Sequence, residues 1–216
     1  MHPPTPKACS SERGRFEMSA SDAPSRERAW RVFAAEFNDG TFTFKESDDE
    51  RAPLYQLLPT GANANRIFLV GTVTETEDIG NDGEYWRGRV VDPTGTFFVY
   101  AGQYQPQAAS TLRDIDTPAY VAVVGKPRTY ETDTGDINVS VRPEAISVVD
   151  VGTRDRWVIE TASRTLDRIE SFDPVGDEIA QRAVSEYGDE LTPYRDAVVD
   201  ALESLEEAAK PTTTAD

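Results

Sequence analysis

Through the middle of the chain, hydrophobic positions recur every second residue. Toward both ends they recur every third or fourth. The first period is that of a strand with one face buried, the second that of an amphipathic helix. Alternation predicts strands over residues 67–74, 84–92, 96–101, 119–130 and 137–149. Turn chemistry separates them: Gly80-Asn-Asp-Gly83, Asp92-Pro-Thr-Gly95 and Asp133-Thr-Gly-Asp136. Gly71 marks a place for a sharp bend, and Pro143 forces a bulge or an edge position. Residues 106–112 read as a short helix or connector.

On the N-terminal side the spacing predicts a helix over residues 24–37. Ser21 and Asp22 are available as caps, Pro24 suits a first turn, and Trp30, Phe33, Ala34 and Phe37 form one stripe. Docking into the core is the expected use of that stripe. A short strand over 41–44, a charged loop over 45–51 and an apolar segment over 54–58 follow. Beyond residue 150 the pattern is helical. One helix is predicted over 154–172 with Thr153 as its cap, a second over 175–187, and a third from Thr192. The first presents Val158, Ala162, Leu166, Ile169 and Phe172 on one face, with Trp157 beside them.

Three meandering strands, a short connector and a hairpin make the order of a five-stranded Greek-key barrel of the OB type. The expected fold is therefore an all-β OB-fold barrel with an N-terminal helix and C-terminal α-helices. The divisions are a disordered leader over 1–23, an N-terminal helix and short strand over 24–59, the barrel over 60–150, a helical region over 151–209 and a disordered tail over 210–216. Residues 1–17 differ in composition from the rest, and Met18 offers a second, more natural start.

Composition narrows the chemistry. Among 216 residues, Lys and Arg total 22 against 39 Asp and Glu, a net charge of -17, and only four of the basic residues are Lys. This balance fits a protein of a salt-loving archaeon, where a Debye length of about 3 Å in molar salt screens the carboxylates from one another. Residues 60–150 carry seven basic and 13 acidic side chains, against seven and 16 in residues 151–216. Basic charge is thus least outweighed in the barrel. The one Cys (Cys9) and the one His (His2) lie in the first ten residues, so the folded part holds no Cys/His zinc site, disulfide or histidine base. With no phosphate-cradling Gly loop either, an enzyme is not expected, nor a cofactor, a metal or a small-molecule substrate. No apolar run reaches the roughly 18 residues of a membrane span and no signal-peptide core is present, so a cytoplasmic location is expected.

The run Val90-Val-Asp92-Pro-Thr-Gly95-Thr-Phe97-Phe-Val99 resembles the strand-turn-strand of OB folds in replication protein A and its relatives. Phe98 to Pro106, Arg142-Pro-Glu-Ala-Ile146 and Arg154-Asp-Arg-Trp157, followed by Thr161, Thr165 and Arg168-Ile169, resemble the replication protein A-associated proteins of haloarchaea. The resemblance covers residues 24–209. It implies an accessory OB-fold subunit that joins a replication protein A large subunit and serves single-stranded DNA in replication and repair. It also implies a role in assembly for the helix over 154–172, with Trp157, Val158, Ala162, Leu166, Ile169 and Phe172 at the subunit interface. Closure of one barrel mouth is the other reading of that helix.

Alternation assigns the faces of strands two and three. Trp86, Val90, Phe97 and Val99 should point into the barrel; Tyr85, Arg87, Arg89, Phe98 and Tyr100 should point out. Aromatic planes stack with bases and guanidinium groups pair with phosphates, so the outward set suits a single strand. Tyr104, Arg128 and Tyr130 extend the groove. A patch this small on an acidic domain is expected to bind weakly alone, led by stacking or completed by a partner. An adaptor OB module without DNA contact and an RNA-binding OB protein are the alternatives.

Overall fold

A computed structural model describes residues 27–49 and 52–209. The expected leader over 1–23 and tail over 210–216 lie outside the described residues. Before the barrel come β1 (Trp30–Arg31), α1 (Ala34–Asp39), β2 (Thr43–Lys45), β3 (Leu54–Leu58) and β4 (Ala62–Ala64). The predicted 24–37 helix is corrected here. Its residues Trp30 and Arg31 are extended and pair in parallel with Ile67 and Phe68, and the helix begins only at Ala34. The cause lies elsewhere in the chain. Trp30 N–H finds the Arg66 carbonyl at 2.9 Å, and the Asp92 carboxylate accepts Ala34 N–H at 2.8 Å. Phe33 at the N-cap has no capping group of its own, so a distant Asp fixes where the helix starts. The stripe still docks: Phe33, Ala34 and Phe37 are buried, Phe33 edge-on to Trp157 and Phe37 against Phe97.

The barrel consists of β5 (Ile67–Asp78), β6 (Trp86–Asp92), β7 (Gly95–Ala101), β8 (Ala119–Glu131) and β9 (Ile137–Val148), with α2 (Pro106–Asp114) between β7 and β8. β5 pairs with both β6 and β8, β6 with β7, and β8 with β9. A parallel contact of β7 with β9, at Val99 opposite Val141, closes the ring. That connectivity is the OB fold. β5 outruns its predicted end by four residues, because after a bulge between Val73 and Glu75 it continues as a ribbon with β6. Pro143 sits beside a second bulge, opposite Gly125. The inward sides of these strands supply Leu69, Val73, Val90, Phe97, Val99, Val121, Val123 and Val141 to one core. Trp86 is half-buried and packs on its edge. α2 plugs one end with Leu112, whose Cδ2 would lie 2.8 Å from a Cβ at Gly88, so any larger residue there would make the leucine shift.

At the other end lies α3 (Val151–Glu170), followed by α4 (Glu178–Tyr187) and α5 (Thr192–Ala209). Asp150, rather than Thr153, caps α3 by accepting Thr153 N–H at 2.7 Å. Trp157 Nε1 donates to the Phe68 carbonyl at 3.1 Å, and Trp157, Val158, Ala162 and Ile169 are buried within this chain. α5 covers α3 with Val198 and Ala201. The stripe placed at a subunit interface by the resemblance is therefore used internally. Of its six members, Leu166 and Phe172 keep partial exposure. An apolar stripe has the same spacing whether it docks on its own barrel or on another chain, which is why spacing left both readings open. A buried ion pair ties α3 to α1: Arg168 donates to Glu36 Oε2 at 2.6 Å, and Glu36 also accepts from Thr60. Among the described residues no helix is long and apolar enough to cross a membrane.

Candidate nucleic-acid interface

Three pieces of the barrel meet at the cleft. The loop between β5 and β6 is folded back by Asp78, whose Oδ1 accepts Gly80 N–H at 3.0 Å and Tyr85 N–H at 3.1 Å. These two donors hold the Asp78 carboxyl below its ordinary range. From α2, Arg113 pairs with Glu84 at 3.1 Å and steadies the same loop. Tyr85 thereby stacks on Tyr100 of β7, with centroids 5.9 Å apart and planes 20° apart. β8 and β9 bring the rest. In their ladder Arg128 faces Ser140 and Lys126 faces Arg142, so Arg128 and Arg142 are diagonal neighbours on one face.

The result is a cleft of about 570 Å3. Tyr85, Tyr100, Tyr104 and Tyr130 supply rings, Arg128 and Arg142 supply charge, and Gln105, Thr129 and Ser140 supply polar groups. Among the described residues no Asp or Glu lines it. Neither arginine makes an ion pair with a described carboxylate, whereas Arg31, Arg66, Arg87, Arg113, Arg154, Arg164 and Arg168 each do. Burial, and then the Arg142 charge, lower the proton affinity of the Arg128 guanidinium. Burial, with the neighbouring Tyr130, pushes the Tyr100 phenol up from its ordinary value. Two like charges held together without a counter-ion cost stability. An anion placed between them would relieve that repulsion. Tyr104 is 83% exposed and Tyr130 48%, so both rings offer open faces.

Five of the eight predicted contact residues meet here: Tyr85, Tyr100, Tyr104, Arg128 and Tyr130. Arg87, Arg89 and Phe98 do not line the cleft. They form a strip on the outer face of β6 and β7, where Arg87 stands opposite Tyr100 and Arg89 opposite Phe98. Arg87 is taken up by an ion pair with Glu77, its direct cross-strand partner on β5. Arg142, Gln105 and Ser140 are additions. Arg142 and Ser140 could have been found by counting back from the turn at Asp133–Asp136 to the register of the hairpin. Gln105 had no such signal, since a non-repeating loop puts it there.

No protein-family model and no curated protein matches the chain. Solved structures align with part of the chain. An OBody bound to hen egg-white lysozyme aligns at 16% identity over 39% of this chain and 80% of its own, with a TM-score of 0.34. The second single-stranded DNA-binding protein of Mycobacterium smegmatis aligns at 21% identity over 41% of this chain and 88% of its own, TM-score 0.34. Asparaginyl-tRNA synthetase from Pyrococcus horikoshii aligns at 17% identity over 39% of this chain and 20% of its own, TM-score 0.33.

Proposed function

We propose that this chain is an accessory OB-fold subunit of a replication protein A complex that binds single-stranded DNA together with a large subunit in replication and repair. One observation carries the nucleic-acid part: among the described residues the cleft is lined by four tyrosines and two arginines without an ion-pair partner, and by no carboxylate, in a chain of net charge -17. The depressions lined by Arg164 and Asp167, by Glu131 and Glu186, by Pro143 and Glu144 and by Phe172 and Asp177 each include a carboxylate. The complex itself, and its place in a salt-loving archaeon, are supported by the resemblance of residues 24–209 described above. Bases stack on the tyrosines, and each stacked base contributes about 1–3 kcal/mol. Only two guanidinium groups line the cleft, so the electrostatic share there is small. That suits concentrated salt, which erodes phosphate contacts far more than stacking.

The test is titration of oligothymidylate into the tagged protein as it purifies from its salt-rich cytoplasm, with Tyr100→Ala beside the wild type. The expected results are recovery of a single-strand-binding large subunit and an affinity loss of about tenfold or more in the variant. Recovery of the partner with unchanged affinity would favour an adaptor without DNA contact. Preference for RNA of the same sequence in direct competition would move the reading to an RNA-binding OB protein.

A further inference from the structure

Beyond Tyr130 the cleft does not end at a wall. A second depression of about 350 Å3 shares Thr129 and Tyr130 with it and continues onto β2, where Phe42 and Thr43 form the far side. Its apolar surface is Phe42, Tyr130 and Ile137, the last 48% exposed. Phe42 is held in place from α4: the Tyr187 hydroxyl accepts Phe42 N–H at 2.9 Å and donates to the Leu57 carbonyl at 2.9 Å. Thr43 Oγ1 lies 3.5 Å from Thr129 Oγ1, so β2 is tied to β8 where the two depressions meet. Phe42 is also the end of a ladder of rings. It stacks on Phe44 at 6.2 Å, Phe44 stacks on Tyr55 at 5.8 Å, and the Arg182 guanidinium lies 4.9 Å over Phe44. A ring braced in this way offers a fixed face at little further entropic cost.

The charge here differs from that of the cleft. Glu131 and Glu186 rim the depression, and among the described residues no basic side chain lines it. Phosphates are repelled from this end, while neutral base faces are not. We infer that the depression is a second base-stacking subsite, which carries a single-stranded nucleic acid from the tyrosine cleft across Tyr130 onto Phe42. The inference rests on the single-strand reading above. It adds that the strand turns its bases inward and its phosphates to solvent at this end, so that the footprint outgrows the barrel.

The experiment measures affinity for oligothymidylates of increasing length across the roughly 4–16 nucleotides one OB fold covers. It uses the full chain, alone and with its co-purifying partner. Wild-type affinity should keep rising beyond the length at which Phe42→Ala levels off, with a difference of about tenfold for the longest strands. Tyr100→Ala should weaken every length. The double variant Glu131→Gln/Glu186→Gln should tighten long strands by several-fold and leave short ones unchanged, a gain that misfolding cannot produce. Levelling at one length in wild type and Phe42→Ala overturns the second subsite alone, as does an unchanged affinity of the double variant for long strands. Loss of partner recovery in Phe42→Ala with long-strand affinity intact would overturn it in favour of a protein-docking face. A wild type that binds no strand in either form sinks the parent reading together with this one.

Discussion

The arginines around α3 and those of the cleft are the same residue used to opposite ends. Arg31, Arg154, Arg164 and Arg168 each face a carboxylate, and Arg168 with Glu36 is almost fully withdrawn from water, at 10% and 1% side-chain exposure. Among the described residues Arg128 and Arg142 face no carboxylate, and the charge of Arg142 acts on Arg128. For Arg168 the charge is cancelled inside the chain and the geometry is fixed by it. In the cleft, charge is left over. A folding site satisfies its own groups, and a binding site leaves them for something else to satisfy.

The sharpest way to break this comparison is to remove one half of a matched pair. Arg168→Ala strands Glu36 in the core and should cost about 3–5 kcal/mol of unfolding free energy, read from the denaturant midpoint. A drop of less than about 1 kcal/mol would mean that the pair is not structural. The next largest effect concerns Asp92, which is matched by donors instead of a cation. It accepts from Ala34 N, Thr94 N, Thr94 Oγ1 and Gly95 N, yet burial outweighs them and pushes its pKa up to about 6. A group whose folded pKa is raised contributes stability that is full below its unfolded value near 4 and is lost as pH rises through 6. The stability of wild type relative to Asp92→Asn should therefore fall by about 2–3 kcal/mol between pH 4 and pH 7. Denaturation at a series of pH values, at constant salt, checks it; a flat difference refutes the shift. The smallest stability effect belongs to the unmatched set. Arg128→Ala/Arg142→Ala should leave the denaturant midpoint unchanged or slightly higher while lowering the salt slope of single-strand binding by about 1.4, at 0.7 per lost phosphate contact.

How much of this was legible depends on whether a residue's task is periodic. The barrel strands alternate, so the sequence alone puts Val90, Phe97 and Val99 inside and Tyr85 and Tyr100 outside. α1 could not. Its start is set by Asp92, 58 positions away, and Trp30 with Arg31 leaves the helical pattern for ladder bonds to β5. β4 is three residues of Ala and Asn, too short and too plain to signal a strand. Glu36 reads as a surface residue of a helix, and nothing nearby in the chain announces its partner Arg168, 132 positions on. The cleft falls between these cases. Its aromatics follow from alternation, whereas Arg142 requires the register of the hairpin, and the loss of Arg87 to Glu77 requires the ribbon extension of β5 past its bulge.

The ring of strands is joined between β7 and β9 at one paired position, Val99 with Val141. Tyr100 follows the first of these residues and Arg142 follows the second, so the two lips of the cleft belong to the two sides of that seam. A ligand held between them is a suture across the barrel's shortest joint. A molecule that filled the cleft would therefore brace the wall at that pairing.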